Sequence, residues 1–477
     1  MKLLQSHFSI LILGILAVIA ALAIGNSKLA MLISLVIAIC SLLNKETGLL
    51  FLLVLIPIRP FLIAVNPGFK ILGDAIIAFL LLRTIFDKRK DIKNLFTFHP
   101  FEWAFFAFAV IGVISAFLTG VSLKAIIFQL RAYFLFYIVF YVVKRMELSF
   151  DTIRKMSITS FILGVILSIH GFVEKIFHKT MLMPQVWQEW WLSPTNRIRV
   201  YGLIKGPNEL SLFLVITFFI SLYLLKHVQG KWRYFIYTGL TLIGTTILLT
   251  YSRGTLLTIV VFVVVYFVLS RKWRPFVSIG VVTFISAGLF FGINQIADQT
   301  YERISPYAHY YQQNGGEEGG AESGKRFKNT FSNEEIGQSS ESGRIYYVKK
   351  AIEIFKDHPL IGTGFGTFGG AATLTYSSPV YEEYNIDRNF YSDNQYILIL
   401  AETGALGMLS IFMTAYFLLV TTWKNRKEFY GPLLVYFIIS LIVGSAVYNI
   451  LENDSFMMYF FILFGLVYQK SKLANHP

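Results

Sequence analysis

The chain has 477 residues, of which 55% are hydrophobic and only 15% are charged, with a formal net charge of +14 and a mean hydropathy of +0.60. A water-soluble domain cannot bury so large an apolar fraction, so the composition excludes an ordinary soluble enzyme and predicts a polytopic membrane protein. The only cysteine, Cys40, excludes an intrachain disulfide and argues against a cysteine-based metal site.

Hydrophobic segments long enough to be membrane spans recur along most of the chain. We expect an all-α fold with about 12–14 transmembrane helices. The number is given as a range because the shortest candidate segments are shorter than a perpendicular membrane crossing needs. The run after the first seven residues lacks a following cleavage pattern, which predicts a first span rather than a removed signal peptide. In chain order the fourteen candidates lie near residues 8–25, 29–43, 48–65, 71–86, 101–118, 125–143, 156–174, 209–225, 233–250, 254–270, 275–294, 395–421, 431–448 and 454–469.

The positive charge lies in short connectors between these spans. Such connectors are typically cytoplasmic when they are rich in Lys and Arg, which predicts that both termini face the cytoplasm. Because the basic residues are scattered rather than gathered on one surface, they argue against nucleic-acid binding. The basic segments lie at residues 87–98, 144–155, 226–232, 271–274 and 422–430 and in the tail from residue 469.

Two connectors on the opposite side are too long to be turns, and they divide the chain. We expect a transmembrane bundle over residues 1–294, with an external loop at about 175–208. A large extracytoplasmic loop with short helices follows at 295–394, and C-terminal transmembrane helices complete the chain at 395–477.

The larger loop contains segments of different character. The Gly- and Glu-rich stretch 314–326 is predicted to be disordered. Apolar residues at helical spacing over 345–355 predict a short helix that ends before His358 and Pro359. The glycine-rich stretch 360–370 has no strand before it and no Lys-Ser/Thr after it, which argues against a nucleotide-binding loop.

Several arginines lie where charge is costly. Arg131 lies about two turns inside a predicted span, where it either faces a polar cavity or forms a structural pair. Arg253 lies between two apolar runs. Together with Arg344, Arg199 and Lys205 it is interpreted as part of an anion-binding cluster, because the planar guanidinium donates paired hydrogen bonds to phosphate.

Four segments in order carry a resemblance to a known family. They are RVYGLIKGPNELSLFL at 199–214, YSRG at 251–254, SGRIYYVKKAIEIFKDHPLIGTGFGTF at 342–368 and DNQYILILAETGALG at 393–407. With the hydrophobic spans between them, they make the chain similar to the O-antigen ligase / Wzy-type polysaccharide polymerase superfamily of bacterial envelopes.

This resemblance implies a metal-independent glycosyl transfer, without a cofactor, at the outer face of the cytoplasmic membrane. The donor would be a glycan on undecaprenyl pyrophosphate, and the acceptor a sugar hydroxyl. Membrane lipid, a flippase and a chain-length regulator are the other partners that it suggests. The family's pyrophosphate-binding arginines would correspond to Arg253 and Arg344, with Arg131, Arg199 and Lys205 as second choices.

The family's ligase motif falls on Asp393, Asn394, Gly404 and Gly407. Asp393 stands where the ligases carry a catalytic histidine, which favours polymerisation of repeat units, as in O-antigen, capsule, exopolysaccharide or teichuronic-acid synthesis, over ligation. A carboxylate can still accept the acceptor's proton, so Asp393 is the candidate base or acceptor-orienting group.

Structural roles compete with some of these assignments. Asp393 directly precedes an apolar helix, where an aspartate also serves as an N-cap. His358 is interpreted as a helix-terminating residue, and Asn208 as a structural residue of the matching segment.

Two other function classes compete with the enzyme. A polysaccharide-lipid flippase or other transporter would suit the number of spans, although no internal repeat is evident and the long external loop is unusual for one. A sensor or scaffold would need a cytoplasmic output domain, and the predicted cytoplasmic connectors are too short to form one.

Overall fold

The computed structural model describes residues 7–271, 274–314, 344–386 and 389–469. Every regular element in these ranges is a helix, which confirms the all-α prediction. Most of the stretch predicted to be disordered, residues 315–326, lies outside the described residues, as does the basic tail from residue 470.

The described ranges contain twenty α-helices and four 3-10 turns, the latter at Pro67–Ile71, Gly202–Ile204, Ala372–Leu374 and Ile450–Glu452. The α-helices are α1 His7–Ile24, α2 Ser27–Leu43, α3 Lys45–Leu55, α4 Arg59–Val65, α5 Leu72–Lys88, α6 Ile92–Leu95, α7 Pro100–Leu118, α8 Leu123–Val143, α9 Phe150–Ile176, α10 Gln185–Gln188, α11 Pro194–Arg197, α12 Pro207–Leu224, α13 Lys231–Leu249, α14 Arg253–Ser270, α15 Arg274–Ile304, α16 Pro306–Asn314, α17 Arg344–Asp357, α18 Gln395–Asn425, α19 Gly431–Gly444 and α20 Asp454–Tyr468.

A helix, or a bent pair of helices, occupies each of the fourteen predicted spans. Among the described residues, eight helices are long and apolar enough to cross a membrane. The count rises to nine if α3 and α4, which meet at a bend of 72°, form one broken span. Helices α2, α19 and α20 are apolar but shorter. The chain is therefore a polytopic membrane protein.

Local sequence signals set where many of these helices begin. Ser122 caps α8 by accepting from the Ala125 amide at 3.3 Å, and Ser149 caps α9 by accepting from the Thr152 amide at 3.1 Å. Proline occupies the first turn of α7, α12 and α19, where its missing amide costs nothing. These signals are local, so the helix starts follow directly from the sequence.

The helices differ in how much of their surface is buried. In α12 the most apolar window is 67% buried, whereas in α1, α14 and the long helix containing α15 it is 17% buried. Because apolar side chains that the protein does not cover must face lipid, α1, α14 and α15 lie at the periphery of the bundle. The core lies among α7, α8, α9, α12, α18 and α20.

The described part of the large loop packs on one end of this bundle. Helix α17 confirms the short helix predicted over residues 345–355. It packs against α18 through the buried side chains Tyr347, Ala351 and Ile354. Phe390 stacks on the Tyr347 ring with centroids 3.7 Å apart. This packing fixes the first residue of α17 beside the residues that precede α18.

Candidate active site

The site is at the end of the bundle where α12 and α14 begin and α19 ends, hereafter the arginine end. The Arg344 guanidinium, at the start of α17, lies with one nitrogen 3.5 Å from the Asp393 carboxylate, two residues before α18. Both side chains are about half exposed, at 54% and 42%. The contact therefore lies at a surface that a substrate can reach.

Asp393 is held in an uncommon backbone conformation. Its φ is +49°, in the left-handed region that aspartate adopts at some cost. The cap of α18 is the next residue, because the Asn394 side chain accepts from the Tyr396 and Ile397 amides at 3.0 and 3.3 Å. The structure thus gives the capping role to Asn394 and leaves the Asp393 carboxylate directed at Arg344.

The electrostatics of Asp393 combine two opposing effects. Partial burial raises the pKa of the Asp393 carboxyl above its ordinary value, while Arg344 and then Arg199 act to lower it. The net shift is upward, so desolvation outweighs the two guanidinium groups. A carboxylate with a raised pKa is a better proton acceptor than an ordinary aspartate.

Arg199 is the buried cation of the site, with 8% of its surface exposed. Its guanidinium donates to the Thr250 carbonyl at 2.8 Å and to the Asn208 side-chain oxygen at 2.6 Å. Burial lowers the pKa of this guanidinium and nearby Arg253 acts in the same direction, but an arginine remains charged at neutral pH. Arg199 is therefore a fixed positive charge that the protein only partly compensates.

Arg253, the first residue of α14, is exposed at the same end. The preceding Ser252 hydroxyl bonds to the Asn208 side chain at 3.1 Å and to the Tyr448 hydroxyl at 2.6 Å. Asn208 thus links Ser252 to Arg199. This network ties the starts of α12 and α14 together and sets Arg253 beside Arg199.

The segment between α19 and α20, residues 445–449, joins the two halves of the site. Arg344 reaches the Val447 carbonyl at 3.5 Å, and the Gln395 amide donates to the Ser445 carbonyl at 2.8 Å. A Cβ added at Gly254 would lie 2.5 Å from the Tyr448 hydroxyl, which shows how closely α14 approaches this segment. Arg253 and Arg344 therefore flank the same stretch of backbone.

The glycine-rich stretch after α17 donates hydrogen bonds to a carboxyl group that belongs to the protein itself. The amides of Gly366, Thr367 and Phe368 donate to one carboxylate oxygen of Glu402 at 2.9, 3.1 and 3.2 Å. Glu402 lies in α18 and is fully buried. The turn is a nest of amides for an internal carboxylate, which explains a glycine pattern that only superficially resembles a phosphate loop.

Gly404 and Gly407, from the predicted motif, shape α18 beside this turn. Gly404 has φ +59° and breaks the helical conformation within α18. A Cβ at Gly404 would lie 2.6 Å from the Leu360 carbonyl carbon. A Cβ added at Gly407 would lie only 1.9 Å from the Thr403 hydroxyl oxygen. Position 404 requires glycine because the backbone of α18 touches the backbone at Leu360 there.

Two other predicted site residues lie in different surroundings. Arg131 forms a paired contact with Asp74 at 2.8 and 2.6 Å. Arg59 contacts both Asp74 at 3.8 Å and Asp454 at 3.5 Å. Arg131 therefore belongs to a four-residue ion-pair cluster with a structural role. None of the contacts described for this cluster involves Asp393 or Arg344.

Lys205 and His358 also make no described contact with the arginines or the aspartate of the site. The Lys205 ammonium lies 5.4 Å from the centre of the Trp190 ring. His358 directly follows α17 and is exposed. It lies on the order of 20 Å along the helix axis from Arg344, given the rise of an α-helix.

Several residues of the site were not predicted from the sequence. Tyr448 and Asn449 are uncharged residues in a short connector, and nothing in the sequence pattern distinguishes them. Asn449 accepts from the Ser392 hydroxyl at 2.8 Å and from the Asn394 amide at 3.0 Å. Glu402 could have been found, because an ionisable residue inside an apolar segment usually has a specific partner.

The arrangement can bind an anion and accept a proton. The Arg344 guanidinium contacts the half-exposed carboxylate of Asp393, Arg199 lies near enough to act on that carboxylate electrostatically, and Arg253 lies near Arg199. Within the described residues, no group of three or more His, Cys, Asp or Glu side chains has the spacing to hold a metal ion.

Comparison with known protein families gives one match. Residues 238–412 match the family described as O-antigen ligase. The matched region contains Arg253, Arg344 and Asp393 as well as Gly404 and Gly407, whereas Arg131, Arg199 and Lys205 precede it. A search of curated proteins found no match to the chain.

Proposed function

We propose that this chain, whose residues 238–412 match the O-antigen ligase family, polymerises repeat units of a cell-surface polysaccharide. The reaction is transfer of a glycan from undecaprenyl pyrophosphate to a sugar hydroxyl. The observation that carries this proposal is the contact of Arg344 with Asp393 at the arginine end, where Arg199 and Arg253 also lie.

The chemistry needs a group that accepts a proton. As the acceptor oxygen forms its bond to the anomeric carbon, its proton passes to the Asp393 carboxylate. The bond from the anomeric carbon to the pyrophosphate oxygen breaks, and its electron pair leaves with the lipid pyrophosphate. The raised pKa of Asp393 supports its role as the proton acceptor.

The leaving group needs positive charge that is already in place. Arg253 and Arg344 are exposed and flank residues 445–449, so both can contact a pyrophosphate, while buried Arg199 adds a fixed charge behind them. Arginines that stand ready to stabilise developing negative charge lower the barrier without reorganising during the reaction. Pyrophosphate leaves readily in this setting, so the mechanism does not require a general acid.

The location follows from the basic connectors. If these face the cytoplasm, the arginine end lies at the outer face of the cytoplasmic membrane, where a lipid-linked repeat unit would be used. A flippase would deliver the donor there and a chain-length regulator would limit the product. Asp393 at the position of the family ligases' histidine supports polymerisation over ligation to a different acceptor.

The test uses full-length protein purified in detergent with an undecaprenyl-pyrophosphate-linked oligosaccharide, in the absence of nucleotide and with and without added divalent metal. We expect a ladder of lengthening products on a gel, at equal rates in both conditions. A single added unit would instead indicate a ligase. Absence of transfer together with movement of labelled lipid across liposomes would indicate a flippase and would contradict the proposal.

A further inference from the structure

A large cavity lies at the end of the bundle opposite the arginine end. Its volume is about 670 Å³. Tyr266, near the end of α14, lines it, whereas Arg253 begins that helix. Tyr223, near the end of α12, also lines it, while Asn208 lies in the first turn. The rise of an α-helix places the cavity about 20 Å from the arginine cluster along the bundle axis.

The walls of the cavity are hydrocarbon. Side chains from eight helices form them, among them Met156, Phe219, Phe262, Ile462 and Leu463. Such walls favour an apolar occupant, because filling them with water would leave a large apolar surface hydrated.

Three hydroxyl groups in these walls, those of Tyr459, Ser160 and Ser157, are already paired. The Tyr459 hydroxyl donates to the Ser160 hydroxyl at 2.7 Å, and Ser160 donates to the Met156 carbonyl at 2.9 Å. The Ser157 hydroxyl donates to the Ile153 carbonyl at 2.9 Å. Because these three hydroxyls are satisfied and most of the other lining side chains are apolar, the interior suits acyl chains.

The mouth of the cavity is positively charged. Lys226 and Arg233 line it and are exposed, as is the Gln229 amide between them. Arg154 also lies close enough to Tyr223, at the cavity wall, to interact with it electrostatically. Among the described residues that line the cavity there is no carboxylate. An anionic group at this mouth would meet two lining cations, and the nearby carboxylate of Glu428, which acts electrostatically on the lining Tyr430, does not itself line the cavity.

We propose that this cavity binds one anionic diacyl phospholipid, with its phosphate at Lys226 and Arg233 and its acyl chains between the apolar walls. The match is one of charge and of polarity: an anionic headgroup at the exposed basic mouth and hydrocarbon below it. A cavity of this size is within the range of ligand-binding pockets.

The lipid donor of the proposed reaction is a different ligand. Its pyrophosphate must reach the arginine end, whereas the headgroup of this lipid lies at the opposite end of the bundle. The proposed lipid therefore belongs to the other leaflet. It would stabilise the protein by binding the folded state, because it fills a gap between α14, α15 and the rest of the bundle.

The experiment measures thermal unfolding of delipidated full-length protein in neutral detergent. Phosphatidylglycerol and phosphatidylcholine with the same acyl chains are titrated separately, and native mass spectrometry counts the retained lipid. We expect phosphatidylglycerol to raise the Tm and to remain bound as one molecule, while phosphatidylcholine has a much smaller effect. Equal shifts with the two lipids would overturn the proposal, and so would the absence of any retained phosphatidylglycerol.

Charge variants locate the site. In the double variant Lys226→Gln, Arg233→Gln, the half-saturating phosphatidylglycerol concentration should rise about tenfold or more, because each basic side chain near the headgroup adds to the attraction. Lys90→Gln is the matched control, since Lys90 is an exposed lysine in another basic connector that does not line the cavity. An unchanged titration in the double variant, or an equal change in the control, would contradict the assignment.

A variant of the wall tests the cavity itself. Ile279→Trp on α15 adds volume within the lining, so it should abolish the retained lipid in native mass spectrometry while the protein still folds. Retention of one phosphatidylglycerol in this variant would show that the lipid binds elsewhere. These measurements use no glycan, so their outcome is independent of the polymerisation assay.

Discussion

The guanidinium of Arg344 lies 3.5 Å from the carboxylate of Asp393, although 49 positions separate the two residues. One begins α17 and the other immediately precedes the cap of α18. Their contact exists because α17 packs along α18 through Tyr347 and Ala351. The packing of α17 on α18 thus brings Arg344, a proposed pyrophosphate ligand, next to Asp393, the proposed base. The buried side chains that make this packing are those of other residues.

We expect Arg344→Ala and Arg253→Ala each to abolish detectable polymer in cells, while the protein inserts at a normal level. Loss of one preorganised charge at a leaving group costs about 10²–10³ in rate. Polymer length and amount on a gel, with the protein level from an immunoblot, provide the measurement.

Lys356→Ala is the control for these arginines. Lys356 is an exposed cation in the last turn of the helix that Arg344 begins, so it tests the general effect of removing a charge from α17. Polymer should be unaffected in this variant. Intact polymer in either arginine variant would refute the pyrophosphate assignment.

Asp393→Asn should reduce the rate of chain growth about 10²–10⁴-fold, because an amide cannot accept the acceptor's proton. Asp393→Glu should retain part of the activity, since it keeps a carboxylate. The measurement is the initial rate with purified protein and lipid-linked oligosaccharide. Full activity in Asp393→Asn would exclude the residue as the base.

The pH dependence follows from the same residue. A base must be deprotonated, so activity falls as the pH drops through its pKa. Because partial burial raises the pKa of Asp393, the acid limb of kcat/KM should lie above the ordinary aspartate value of about 3.9. Arg344 lowers that pKa, so the residual activity of Arg344→Gln should show an acid limb at still higher pH. An unchanged limb in that variant would mean that another group titrates.

Arg131→Ala should lower stability and leave the chemistry intact. The variant removes a paired contact with Asp74 whose two side chains are 29% and 39% exposed, so we expect a loss of about 1–2 kcal/mol, between the values for surface and buried pairs. Thermal unfolding and the single-turnover rate of the folded protein give the two readouts. A normal Tm with lost turnover would instead support a role in binding substrate.

Gly404→Ala should destabilise the protein severely. The new Cβ would lie 2.6 Å from the Leu360 carbonyl carbon, at a φ of +59° that costs alanine about 1–2 kcal/mol before any overlap is relieved. Gly292→Ala is the matched control, since an added Cβ on that helical glycine meets nothing within 4 Å. Yield and Tm in detergent should fall only for Gly404→Ala. Equal Tm values would show that α18 can relax around the new methyl group.

The helical architecture could be predicted from the sequence because its causes are local. In lipid every backbone amide must be satisfied within its own segment, so a long apolar run has little alternative to a helix. Each predicted span coincides with a helix or a bent pair, and α17 was predicted from the spacing of its apolar residues. The positions of the charged candidates along the chain were likewise evident.

Tertiary structure decided which of those candidates meet. Arg199, Arg253, Arg344 and Asp393 come together through the Asn208–Ser252–Tyr448 bonds and the packing of α17 on α18, whereas Arg131, with a similar sequence signal, pairs with Asp74. The periodicity of a helix records which face is apolar, but it contains no information about which distant polar group lies opposite. For that reason the sequence by itself determined a bundle of membrane helices with a list of candidate charges, and only the packing of those helices decided which charges form one site.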